Sequence, residues 1–412
     1  MNDVLTQITS LAESCQCGNH HNEISIEKIV IDDGALKQSV SYIKTKKFKK
    51  VALIADEHTY QAAGEHFVDF LKDEDIPYSV SLIQADENND VAADEAAIVQ
   101  VLIEAATEAD VFVAIGSGTI HDIVRFSSYK LGKPFISIPT APSVDGFASM
   151  GAPLVIRGVK KTYQTAAPLA IFADLAVLEN APKKMIAAGF GDMMAKHTSL
   201  LDWKFGHLVA NEPYCPLVAQ VTLDSLESCV KKAELIAKGD KEGIRILMKA
   251  LIHSGLAMLI FGQSHPASGG EHHLSHYWEM EFLRQKRPQV LHGAKVGAST
   301  PLLADIYIQE FLSLLSDSVK LEQLGDSEYS RQILNKITEN KQEIVAAFQA
   351  LPEPLQLRNL IKLVGGQSLP EQLGIDNELI KASLNEAHHL RDRFTVLKFL
   401  NEIVKIERKF IV

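Results

Sequence analysis

The chain has 412 residues, 46% of them hydrophobic and 23% charged, which is enough to enclose two cores. A net charge of −11 repels nucleic acid and anionic membranes, and four cysteines are too few for a disulfide scaffold. No apolar run reaches the length of a membrane span. Met1 to Gln16 lacks the charged and apolar regions of a signal peptide. The expectation is a soluble, cytoplasmic chain.

In chain order, the first feature is Cys15-Gln-Cys17-Gly-Asn-His-His21. It crowds ligand-type residues together, but its C-x-C spacing has no second cysteine pair. It reads either as an accessory metal or redox site or as a mobile polar segment. Four short apolar runs follow: Lys50–Asp56, Pro77–Ile83, Asp110–Ile115 and Pro134–Pro139. Helical patterns over Glu95–Ala109 and Ile120–Leu131 separate them, and alternation of this kind predicts a parallel sheet covered by helices. Ala170–Ala173 and Ala176–Leu178 read as a closing pair of strands. After Pro182 the apolar spacing becomes helical through 185–260, 300–316, 331–350 and from 377 to the end. The predicted fold is an α/β Rossmann-like domain over 1–182 followed by an all-α domain over 183–412, with a ligand cleft between them.

Two loops read as nucleotide-binding. Ala114-Ile-Gly-Ser-Gly-Thr-Ile-His-Asp122 follows a strand and opens a helix, where free N–H groups and the helix dipole suit a pyrophosphate. A tight turn explains the glycines equally well. Ile138-Pro-Thr-Ala-Pro-Ser-Val-Asp145 sets hydroxyls and an acid after the next strand, where ligands of open α/β sheets bind; Thr140 and Ser143 also suit plain turn capping. Asp56 ends a strand, placed either to accept from a ribose hydroxyl or as an ordinary surface acid.

Three further islands carry metal-type donors. Gly189-Phe-Gly-Asp192 reads as a glycine turn with an acid at the start of a helix. Ser264–His276 holds four of the fifteen histidines, and a helix from about Gly269 places His272 and His276 on one face. Val290-Leu-His-Gly-Ala-Lys-Val-Gly297 sets His292 beside two glycines spaced for close helix approach. One carboxylate and two imidazoles leave open positions on a divalent ion, as Lewis-acid catalysis requires.

Taken together, Gly116–Asp122, Pro139–Gly146, Gly189–Asp192, Pro266–His272 and Leu291–Gly293 make the chain resemble the bacterial sn-glycerol-1-phosphate dehydrogenases. These are related to glycerol dehydrogenases, iron-type alcohol dehydrogenases and 3-dehydroquinate synthases. The resemblance spans nearly the whole chain and implies the dehydroquinate synthase-like architecture. It implies that Gly118, Thr119, Ile120, His121 and Asp122 cradle the cofactor, with Thr140, Ala141, Pro142, Ser143 and Ser149 completing the nucleotide site and Asp56 on the ribose. It implies Asp192, His272 and His292 as ligands of zinc or nickel, and Asp145, Asp192 and His276 at the substrate. The implied activity is NADH- or NADPH-linked reduction of dihydroxyacetone phosphate, a phosphorylated triose, to sn-glycerol 1-phosphate for ether-type lipid synthesis, by a homodimer. Ser117 departs from the glycine common in relatives.

Three other readings remain: a glycerol or other polyol dehydrogenase, a dehydroquinate synthase-type lyase, and a non-catalytic metal- or nucleotide-binding protein. The lyase is disfavoured because 262–280 contains no lysine or arginine. The substrate phosphate needs cations, for which Lys160, Lys161, Lys196 and Lys295 are candidates. His276 is the candidate proton relay, one helix turn beyond His272.

Overall fold

Strand β1 (Lys28–Asp32), β2 (Val51–Ala55), β3 (Tyr78–Leu82), β4 (Val111–Gly116), β5 (Phe135–Pro139) and β8 (Ala170–Asp174) form one parallel sheet in the order β1-β8-β5-β4-β2-β3. The computed structural model describes residues 2–317, 321 and 323–406. Every residue of β2, β4, β5 and β8 is buried, which is why these strands appear in the sequence as continuous apolar runs. β1 lies at the sheet edge and alternates in burial. Its five residues, two of them charged, gave no such run.

The expected pair of strands near 170–178 is half correct. Ala170–Asp174 is β8, but Leu175–Leu178 is a helical turn. The Asp174 carboxylate accepts from the Ala176 N–H at 3.1 Å and starts that turn in place of a strand. Strands β6 (Gly151–Ile156) and β7 (Val159–Gln164) form an antiparallel hairpin that periodicity does not signal. Its two turn residues, Arg157 and Gly158, both have positive φ, the requirement of a tight type I′ turn.

Helices cover the sheet and then build the second half. Helix α1 is Asn2–Glu13 and α2 is Gly118–Lys130. The later ones are α3 (Lys183–Met194), α4 (Lys196–Ala210), α5 (Pro216–Lys231), α6 (Lys241–Phe261), α7 (Gly270–Arg284) and α8 (His292–Ile306). Helix α6 is apolar and long enough to cross a bilayer by composition, but 72% of its most apolar window is buried within the fold, as for a core helix. Leu5, Ile8 and Ala12 of α1 join the cluster built by α5 and α6, so the first helix packs against the helical half of the chain. Helical structure continues over Glu328–Glu339, Lys341–Gln349 and Asn377–Glu386. The last residues of the predicted C-terminal helical pattern, 407–412, lie outside the described residues.

Candidate active site

A cleft of about 600 Å3 runs from the carboxyl end of the sheet to α3, α7 and α8, a size typical of small-molecule and cofactor sites. At its sheet end, Ser117 is the N-cap of α2 but makes no side-chain cap. The first-turn N–H groups are left without a side-chain cap beside the cleft, which Ser117, Gly118 and Thr119 line. Such a helix start suits a phosphate. Ser117 has φ −97°, so the serine in place of glycine carries no backbone strain. Gly116 is required for packing, because a Cβ there would come within 2.6 Å of Ile120.

The other predicted nucleotide residues divide into two groups. Asp122, Ser143 and Ser149 line the cleft with Gly118, Thr119 and His121. Asp56, Ile120, Thr140, Ala141 and Pro142 are not among its lining residues. Asp56 accepts from the Thr59 N–H at 2.8 Å and closes a capping box. Ile120 is core. The Thr140 N–H donates to Gly116 O at 3.0 Å, tying the two loops together. Asp122 pairs with the buried Arg125 at 2.8 Å, and burial raises its carboxyl to about 7 against that attraction. Arg125 in turn donates to Gly146 O and Gly151 O at 2.7 and 3.1 Å, holding the second loop in place.

Asp192, His272 and His292, far apart in sequence, converge with one donor atom each within 4.8 Å of the others. Asp192 is not at the start of a helix as its glycines suggested; it lies near the end of α3. Those glycines make close backbone contacts, Gly189 with the loop after β5 and Gly191 with α8. A Cβ on Gly189 would fall 1.9 Å from Pro142 O, one on Gly191 2.4 Å from Gly293 O, and one on Gly293 2.0 Å from Ala188 O. The α3–α8 crossing therefore places Asp192 against His292 at near backbone contact. His272 arrives on α7.

This donor set fits a divalent ion. His292 Nδ1 is buried with no hydrogen-bond partner among the described residues, and an orphaned buried nitrogen needs one. His272 Nδ1 is held 2.7 Å from Glu271 Oε1 while its Nε2 faces Asp192 Oδ1 at 3.6 Å. Burial opposes ionisation of Asp192, but Lys196 and His272 hold its carboxyl far below the usual range.

The predicted substrate residues lie beside this cluster. The Asp145 N–H donates to Asp192 Oδ2 at 3.0 Å, and the Asp145 carboxylate accepts from Ser254 Oγ at 2.8 Å and pairs with Lys196 Nζ at 2.7 Å. Lys196 is fully buried and also reaches Asp192 at 3.3 Å. It is an internal counter-charge, which removes it from the candidates for a phosphate. Lys295 is buried against Glu279 at 3.4 Å, Lys161 is exposed, and Lys160 lines the cleft, paired to Glu279 at 2.8 Å.

His276 lies in the cleft between two partners. Its Nδ1 is 3.4 Å from Glu279 Oε2, and its Nε2 accepts from Arg391 Nη2 at 3.1 Å. Burial pushes its pKa well below the ordinary imidazole value, so the ring is neutral. Glu271, Glu279, Ser254 and Arg391 escaped sequence reasoning. Glu271 and Glu279 flank the predicted histidines and could have been suspected; nothing local marks Arg391, which enters from 115 positions beyond His276.

The model of the iron-containing alcohol dehydrogenase family matches residues 30–182. A glycerol-1-phosphate dehydrogenase of the NAD(P)+ type from Geobacillus thermodenitrificans is 56% identical over 99% of this chain and 100% of its own length. The chain belongs to the glycerol-1-phosphate dehydrogenase family. A member of that family from Geobacillus stearothermophilus is 53% identical, again over 99% of this chain and all of its own length. Family members are NAD(P)-linked oxidoreductases, and metal binding fits the wider iron-containing group. Among solved structures, a probable glycerol dehydrogenase from Sinorhizobium meliloti shares the fold with a TM-score of 0.62 at 14% identity, over 90% of this chain and 92% of that one. The two-part architecture read from the sequence is therefore that of the family.

Proposed function

We propose that this cleft reduces dihydroxyacetone phosphate to sn-glycerol 1-phosphate with NADH or NADPH, supplying glycerophosphate for ether-type lipids. The observation that carries this reading is convergence. An uncapped helix start, the two imidazoles of the carboxylate–bis-imidazole cluster and the cations Arg391 and Lys160 all border one cleft. A polyol dehydrogenase on the same scaffold needs the first two and has no use for the cations.

In this reading residues 1–182 carry the nucleotide and 183–412 the metal and the substrate. Asp192, His272 and His292 would hold zinc or nickel, both of which accept imidazole and carboxylate. When bound, the ion supplies Lewis-acid polarisation of the substrate carbonyl. The reaction adds a hydride to C2 and a proton to its oxygen. Asp145, fixed by Ser254 and Lys196, orients the substrate hydroxyl. His276, held between Glu279 and Arg391, relays the proton. Arg391 and Lys160 receive the phosphate, the guanidinium offering two parallel donors. The working form is a cytoplasmic homodimer.

Steady-state turnover of dihydroxyacetone phosphate and of unphosphorylated dihydroxyacetone, each with NADH and NADPH, tests the activity. The expected result is a kcat/KM at least 100-fold higher for the phosphate ester; equal values, or turnover of glycerol alone, would refute it. Replacing His276 by Ala should lower kcat with metal content unchanged. Elemental analysis of protein purified without added metal identifies the ion.

A further inference from the structure

A second group of metal-type donors stands outside the cleft. Cys15 and Cys17 follow α1, His21 lies four residues further on, and Cys215 is the N-cap of α5. Folding carries Cys215 across 200 positions to 3.6 Å from Cys15 Sγ, with His21 Nε2 at 3.3 Å from Cys17 Sγ and 3.6 Å from Cys215 Sγ. All four donor atoms lie within 4.8 Å of one another, and none of the four residues lines the cleft. We propose that Cys15, Cys17, His21 and Cys215 form a closed site for a structural zinc ion, which staples the N-terminal segment onto the helical half of the molecule.

Three sulfurs and one imidazole nitrogen are the donor set of structural zinc. With Zn–S near 2.3 Å and Zn–N near 2.0 Å, a tetrahedral site has edges of roughly 3.8 Å between sulfurs and roughly 3.5 Å between sulfur and nitrogen. The observed separations of 3.6, 3.3 and 3.6 Å match these edges within a few tenths of an ångström. All four cysteines of the chain are free of disulfides. Four protein donors leave no open position, so the site is not built for catalysis.

The surroundings support the donors. Asn19 Nδ2 donates to Cys17 Sγ at 3.4 Å and to Tyr214 O at 2.8 Å, bridging the two stretches that bring the sulfurs together. Hydrogen bonds of this kind orient metal ligands. Gly18, with φ +79°, lets the chain turn between Cys17 and His21. Cys215 is fixed at the N-terminal end of the 16-residue α5. Beyond the cluster, Asn22 is anchored to α6 through its N–H to Ile260 O at 2.8 Å and its Nδ2 to Leu259 O at 2.9 Å.

The test separates this ion from the one in the cleft. A D192N/H272A chain, purified, incubated with zinc and dialysed, should retain one zinc per chain. Loaded with cobalt(II), it should show thiolate-to-cobalt charge transfer and the strong visible bands of a tetrahedral site. Adding C17S and C215S should remove both the zinc and the bands. A serine pair can loosen the segment by itself, so the wild-type chain provides an independent measurement. Bound zinc should protect Cys15 and Cys17 from alkylation, and a zinc chelator should expose them. Absence of zinc and of thiolate bands in the D192N/H272A chain would overturn the proposal. So would equal alkylation with and without chelator, or a Cys15–Cys215 disulfide in the freshly purified protein.

Discussion

Glu271 accepts from the Gly269 N–H and from Thr198 Oγ1, each at 2.6 Å, while holding His272 Nδ1 at 2.7 Å. A carboxylate fixed in this way sets the imidazole tautomer and aims Nε2 at Asp192, so it would tune the affinity of an ion held by His272 without touching it. Glu271→Gln should weaken metal binding about 10–100-fold, read by competition with a fluorescent chelator. Affinity equal to wild type would show that His272 is oriented by its helix alone.

His121 is a second case of a side chain committed to support. Its Nδ1–H donates to Ser117 O at 2.8 Å and its Nε2 is paired with Ser137 Oγ at 2.7 Å, so both ring nitrogens are satisfied inside the protein. Burial lowers its pKa to about 3. The folded value is below the unfolded one, so this contribution to stability is complete above about pH 6.5 and is lost as pH falls towards 3. The slope is about 1.4 kcal/mol per pH unit. Thermal unfolding followed from pH 7 to pH 4 should show the decline, and His121→Asn should reduce its slope by that one group's share; identical slopes would remove His121 as a cause.

At the scale of elements, the crossing of α3 and α8 determines the geometry of the site. Asp192 and His292 ride on two helices whose backbones meet at Gly191 and Gly293. Gly293→Ala would put a Cβ 2.0 Å from Ala188 O, a backbone atom that cannot rotate away. The helices must separate, at about 3 kcal/mol. The expected outcome is a lower Tm together with weaker metal binding, measured by calorimetry and metal titration. A fall in Tm with unchanged metal affinity would show that the ligand spacing tolerates the shift. Gly191 reads as a turn in the sequence, whereas Gly293 and Gly297 read as glycines spaced for close approach, and that is how Gly293 meets Ala188; the local pattern does not reveal which partner each will meet.

At the scale of the molecule, the cleft collects groups from almost the full length of the chain: Gly118, Asp145, Lys160, His272, His292 and Arg391, with Asp192 buried behind the two imidazoles. Arg391 follows the short helical turn Ala387–Leu390, and the Arg391 and Arg393 guanidiniums donate to Ser264 Oγ at 3.3 and 3.1 Å, so the C-terminal segment forms one wall. Arg391→Ala should raise KM for dihydroxyacetone phosphate about 10–100-fold, the loss of roughly 1.5–3 kcal/mol expected of a charged hydrogen bond, and leave the Kd for NADH near wild type. Unchanged KM would transfer the phosphate to Lys160.

The sequence by itself determined the layer architecture, because strands buried on both faces must be apolar throughout and helices must repeat near 3.6 residues. It also determined the metal-type islands, whose residues carry their chemistry wherever they are placed. The place of Asp192 near the end of α3, the supporting roles of Glu271 and Glu279, and the arrival of Arg391 and Cys215 were decided only by the tertiary structure. Each depends on a contact between residues distant in sequence, and local periodicity holds no record of which distant surface a side chain will meet.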